Sequence, residues 1–247
     1  MEIAKYLDGP NGRLAYRSMS GRGPGVLWLG GFRSDMTGTK AEHLSTWAAA
    51  AGRAFLRFDY SGHGASEGRF EDLVLSDWLA DTLAVFDTLT AGPQILVGSS
   101  MGGWIAALLA LARPARVAGA LFIAPAPDFT ERLMWARMTG PERDEILRHG
   151  RWVEQSQYSP EPTVITKALI EDGRRHLLLG APIPISCPVR IVQGMADQDV
   201  PWRHALAFAE RLKTDDLELA LIKAGDHRLS KPHELARIVS ALETLAT

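Results

Sequence analysis

Short runs of consecutive apolar residues alternate along this chain with longer stretches in which apolar positions recur every three or four residues. The short runs, at 26–29, 54–60, 94–99, 119–124, 189–194 and 217–222, read as strands. Several are almost uninterrupted, as expected of strands buried on both faces. The helical spacing occupies 40–51, 75–89, 103–112, 203–212 and 233–245. Strands alternating with such helices predict an α/β fold, a mostly parallel central sheet flanked by right-handed crossover helices. Residues 1–18 read instead as two paired strands around a turn at 8–12.

One interval breaks the rhythm. About sixty residues separate the run at 119–124 from the one at 189–194, far more than one crossover needs. Within 127–186 lie amphipathic patterns at 129–138 and 141–149, interrupted by Pro160, Pro162, Pro182 and Pro184. The expectation is a helical cap insertion over the C-terminal edge of the sheet. The alternative is a set of helices on the outer face. The whole chain, 1–247, reads as a single domain with this insertion within it, since α/β units of about 250 residues are common.

Composition narrows the function classes. Twenty-seven basic and 29 acidic residues give a net charge of −2, with no basic stripe. Nucleic acid is therefore not an expected partner. The one cysteine, Cys187, precedes Pro188 and an apolar run; it reads as a small filler and rules out a disulfide within the chain. No leader pattern and no membrane-length apolar segment is read. A soluble, cytoplasmic protein without stable membrane insertion is expected. There is no CxxC, HExxH or P-loop, and the glycines at 21–25 precede a strand instead of following one. No metal or cofactor is expected.

The sharpest local signal is Gly98-Ser99-Ser100-Met101-Gly102, a G-x-S-x-G sequence fed by a strand and leaving into an Ala/Leu-rich helix. Such a turn needs small flanking residues and presents its serine at the positive end of the helix. Ser99 fits no such frame, because Val97 stands where glycine is needed. A serine nucleophile needs a base. His227, in Ala224-Gly225-Asp226-His227, follows the last strand and precedes the last helix. It thus shares the sheet edge with Ser100. His43, His204 and His233 fall in helices, His149 and His176 in the cap, and His63 in a glycine turn.

The acid that orients the imidazole is expected at Asp197, first out of the strand before Val200-Pro201, with Asp199 and Asp128 as alternatives. Asp226 reads as a turn residue. For the oxyanion, the expected donors are the backbone N–H of Met101 and of Phe32, in the loop Gly30-Gly31-Phe32-Arg33-Ser34. Arg33 reads either as pocket lining or as a solvated loop residue. The Asp59–Ser66 turn reads as structural support and Trp104 as core. Trp135, Met134 and Met138 read as an acyl pocket or as a packed helix face.

With these motifs in place, the chain resembles the α/β-hydrolase family, in which nucleophile, acid and histidine follow in that order. The resemblance assigns Ser100, Asp197 and His227 to those positions. Longer stretches are similar to the family branch of mitochondrial palmitoyl-protein thioesterases and acyl-glucuronide esterases. They are Gly38-Thr39-Lys40-Ala41, Arg57-Phe58-Asp59-Tyr60-Ser61-Gly62, the run from Gly92 to Ser100, Pro182-Ile183-Pro184, Val200-Pro201-Trp202 and Asp226-His227-Arg228. The resemblance implies a serine hydrolase that cleaves carboxylic thioesters or esters through an acyl-enzyme. Its partner would be a small ester or thioester, with S-acylated protein and acyl glucuronide among the classes implied. A carboxylesterase, lipase or C–C bond hydrolase on the same triad, or a non-catalytic binding module of this fold, are the alternatives.

Overall fold

The computed structural model describes residues 4–155 and 162–246. Its strands are β1 (Lys5–Gly9), β2 (Gly12–Met19), β3 (Arg22–Leu29), β4 (Arg53–Phe58), β5 (Gln94–Ser99), β6 (Val117–Ile123), β7 (Arg151–Glu154), β8 (Thr163–Thr166), β9 (Val189–Gly194) and β10 (Leu217–Ile222). The helices are α1 (Thr39–Ala50), α2 (Leu75–Leu89), α3 (Met101–Ala112), α4 (Gly140–His149), α5 (Lys167–Gly173), α6 (Trp202–Arg211) and α7 (Pro232–Leu245). Every apolar run named above lies on a strand, with ends shifted by a few residues at most.

Eight strands form one sheet in the order β1-β2-β4-β3-β5-β6-β9-β10. The β1/β2 and β2/β4 pairs are antiparallel; all pairs from β4 to β10 are parallel. Strand alternation sorts side chains into two layers. Leu27, Leu29, Leu96, Phe122 and Ile191 join the core under α2, α3 and α6, with Trp78, Phe86, Trp104 and Phe208. Val26, Trp28, Ile95, Val97, Leu121 and Ile123 face α1 and α7, meeting Leu44, Ala48, Ile238 and Leu242. Both faces are dry, which is why these strands read as continuous apolar runs.

The chain leaves β3 toward β4 on one side and returns to place β5 on the other. That reversal opens a crevice between the C-terminal ends of β3 and β5, where open α/β sheets characteristically bind ligands.

Segment 127–186 contains helices α4 and α5 and also a two-stranded antiparallel ribbon, β7 with β8, which the amphipathic patterns do not reveal. The stretch expected as a helix over 129–138 is a π-helical turn, Thr130–Trp135. Pro160 lies outside the described residues. Met138, Ile146, Ile165 and Ile170 make a small apolar cluster of the segment's own, joined by Trp135 and Trp152.

Candidate active site

The turn between β5 and α3 sets Ser100 in a backbone conformation that side chains rarely adopt, φ 56° and ψ −120°. Close packing enforces it. A Cβ on Gly98 would run into Gly102 O, and one on Gly102 into Leu29 O. The Ser100 N–H donates to Ile123 O (2.9 Å), and Ser100 O accepts from Gly103 N–H (2.9 Å) and Ala126 N–H (3.1 Å). The serine is thus fixed to β6 and to its own helix.

His227 lies in the loop after β10. Its Nε2 is 3.1 Å from Ser100 Oγ and its Nδ1 is 2.8 Å from Asp197 Oδ2. With Nδ1–H donating to the carboxylate, Nε2 is left to accept the serine proton. Asp197, at the end of β9, is held on every side. Its Oδ1 accepts from Asp199 N–H (2.9 Å) and Val200 N–H (2.8 Å), and its Oδ2 also accepts from Gln193 Nε2 (3.1 Å).

Of the other candidate acids, Asp199 lends Asp197 its backbone N–H and Asp128 lies elsewhere. Asp128, fully buried, accepts the N–H groups of Leu178 (2.7 Å) and Leu179 (2.9 Å). Asp226 Oδ1 accepts from Arg228 and Leu229 N–H, the turn role read for it. Asp197, Asp199 and His227 offer potential metal-ligand atoms within 4.8 Å of one another. The imidazole and both Asp197 oxygens, however, are already committed to hydrogen bonds.

Met101 opens α3, and the first N–H groups of a helix have no acceptor within it. Gly31 brings the neighbouring loop in close, since a Cβ there would lie 3.4 Å from Ser100 Cβ. Phe32, Met101, Ser100 and His227 line one cavity. The Phe32 ring is clamped edge-on by Phe70, Trp78 and Phe129, with centroids 4.9–5.9 Å away.

The loop has a support that sequence reasoning missed. His63 Nδ1 donates to Ser61 O (3.1 Å), and its Nε2 accepts the Arg33 N–H (3.2 Å) next to Phe32. Both bonds need the neutral ring, and burial pushes its pKa down to about 4. Asp59 braces the same loop: its Oδ1 accepts Met36 N–H (2.6 Å) and its Oδ2 accepts Ala65 N–H (2.9 Å). The glycine turn therefore does act as support. Only the loop closure reveals that His63 is part of it.

The cavity has a volume of about 940 Å³, toward the upper end for small-molecule sites. One wall is apolar: Phe129, Leu133, Met134, Met138, Trp152 and Ile165. All six come from segment 127–186, so Met134 and Met138 do face the cavity. Trp135 packs within the segment's cluster, flanked by Arg143 and Arg174. Trp104 is fully buried and donates to His176 O (3.0 Å). Arg33 lines the cavity and donates to Pro162 O (2.9 Å), joining the loop to the segment above it.

Residues 24–238 match the model of the alpha/beta hydrolase family. The chain is 37% identical over 239 residues to human mitochondrial palmitoyl-protein thioesterase ABHD10, covering 96% of this chain and 77% of that protein. Among solved structures, mouse alpha/beta hydrolase domain-containing protein 10 superposes with a TM-score of 0.91 at 34% identity, covering 98% of both chains. An Agrobacterium vitis protein named as a candidate hydrolase superposes with a TM-score of 0.95 at 44% identity over the full length of both.

Proposed function

This chain belongs to the alpha/beta-hydrolase family, and from that premise we propose that it is a serine hydrolase of carboxylic thioesters or esters. The observation that carries the reading is the hydrogen-bonded sequence Ser100 Oγ, His227 Nε2, His227 Nδ1 and Asp197 Oδ2, with links of 3.1 and 2.8 Å. His227 Nε2 takes the hydroxyl proton as Ser100 Oγ attacks the substrate carbonyl carbon. The resulting oxyanion is held by the amides of Met101 and Phe32. Collapse expels the alcohol or thiol, which receives the proton from His227 and leaves an acyl-Ser100 ester. Water then attacks that ester, giving its proton to His227. The acid departs as Ser100 regains the proton. Asp197 holds the imidazole's orientation and stabilises its charged form.

Segment 127–186 acts in this reading as a cap, and its apolar wall receives the acyl chain. The thioesterase relative supports an S-acyl cysteine or another fatty thioester, with S-acylated protein as a candidate partner; acyl glucuronides are the second candidate class. Among the described residues, no helix is long and apolar enough to cross a membrane. A single, half-buried cysteine fits a reducing compartment, and we place the protein in the cytoplasm, whereas the named thioesterase is mitochondrial.

The test is a matched thioester and oxygen-ester series from acetyl to palmitoyl. Ser100→Ala should abolish turnover and labelling by a fluorophosphonate while leaving the thermal melt unchanged. Retention of near wild-type rates in that variant would remove Ser100 from the mechanism. A maximum at long-chain thioesters is expected.

A further inference from the structure

The acyl-transfer steps leave one end of the cavity unused. Beside His227 it is bounded by Ser34, Lys40, Arg228 and Ser230. Lys40 is the second residue of α1, partly buried, and its Nζ donates to Arg228 O. An ammonium has three donors. Asp226, Glu234 and Asp197 act on Lys40 electrostatically, but each already accepts a hydrogen bond from another group. Asp226 accepts from Arg228 and Leu229 N–H, Glu234 from Lys231 N–H, and Asp197 from His227 and its own loop. Among the described residues, no carboxylate lies within ion-pair distance of Lys40. The same end receives the start of α1. Its cap, Gly38, supplies no side-chain acceptor, and the first amides of a helix have none within it.

An independent observation points to a ligand. Trp28 lines the cavity and is 3% exposed, and its Nε1–H has no acceptor among the described residues. Buried indole N–H groups normally find one. This Nε1 and Ser34 Oγ each lie 3.9 Å from the point a Cβ on Gly30 would occupy, so the two groups border one spot.

We propose that this end of the cavity binds a carboxylate carried by the leaving group of the substrate. Lys40 supplies the cation, and the α1 amides, Trp28 Nε1 and the Ser34 hydroxyl supply donors. It is the leaving-group end because His227 must protonate the departing atom, and Arg228, which Lys40 holds, is its chain neighbour. The assignment rests on the acyl-transfer reading of Ser100. Burial and the nearby Arg228 lower the Lys40 pKa to about 8, so the ammonium persists at neutral pH.

The test compares the butyrate esters of 4-hydroxybenzoate and of 4-hydroxybenzamide, leaving groups alike except for the charge. Wild type should favour the carboxylate by about tenfold or more in kcat/KM, the worth of a charge-assisted bond. Lys40→Met should bring the ratio near one, Lys40→Arg should keep part of it, and Trp28→Phe should reduce it severalfold. The ratio is the readout, so a general loss of activity does not mimic the effect. Calorimetric titration of Ser100→Ala with 4-hydroxybenzoate and 4-hydroxybenzamide should give the same preference without turnover. Equal affinities, or a ratio that survives in Lys40→Met, overturn the subsite even if both esters are cleaved. A carboxylate preference in the titration with neither ester cleaved sustains the subsite and overturns the hydrolase reading instead.

Discussion

Two aspartates stand two residues apart after β9, and their surroundings separate their roles. Asp197 donates no proton and accepts from four partners, one of them the His227 ring; Asp199 lends Asp197 its own N–H. Asp197→Asn keeps the shape but places an amide against the imidazole, so kcat/KM should fall on the order of 10³–10⁴-fold. Asp199→Asn should cost only a few-fold in the same steady-state assay. His63 acts at one remove. His63→Phe fills the volume but gives the Arg33 N–H no acceptor. The loop carrying Phe32 loosens, and kcat should fall about tenfold, with KM little changed, if the amide serves the transition state. Equal effects on kcat and on thermal stability alone, with no split from KM, would mark His63 as merely structural. Ser100, Asp197 and His227 were legible because each follows a strand out at one sheet edge, and chain order then ranks them. His63 was not, because its two bonds exist only once the loops after β3 and β4 meet.

At the scale of elements, legibility followed burial. β5 and β9 could be bounded from the chain alone, since strands covered on both faces carry an unbroken apolar signal; β10, a partly buried edge strand, is marked by its Leu/Ala/Ile positions despite Glu218. Segment 127–186 buries little in its own cluster, so its periodicity is weak and β7 and β8 went unread. It joins the sheet domain by apolar and polar contacts together: Phe129, Leu169 and Leu179 enter the core under α2 and α3, and Asp172 accepts from Ser76 N–H and Oγ, both at 2.8 Å. Asp128 clasps the two ends of the segment through the Leu178 and Leu179 amides. Asp128→Ala leaves two buried N–H groups unpaired, and urea unfolding should show a loss of about 3 kcal/mol. Because the segment supplies the apolar wall, long-chain substrates should suffer more than acetyl ones in that variant.

The whole molecule carries histidines that it keeps uncharged. His63, at about 4, and His204, also lowered, are both depressed chiefly by burial. In the unfolded chain they protonate near pH 6.5. Below that value the unfolded state binds the extra protons, so stability present above pH 6.5 drains away as the pH falls toward 4. His63 alone accounts for about 3 kcal/mol of that loss. Denaturant midpoints measured between pH 7.5 and 4.5 should decline through this window, and His63→Phe should flatten the decline. The sheet order explains where chemistry can sit: the reversal between β3 and β5 puts the Phe32 loop and Ser100 on opposite lips of one crevice. The two lips touch where Gly102 meets Leu29 O, backbone against backbone. That contact is a gauge. It sets the gap between two amides borne by separate parts of the chain, and a single methyl at position 102 would act as a shim, widening the gap without removing any reactive group.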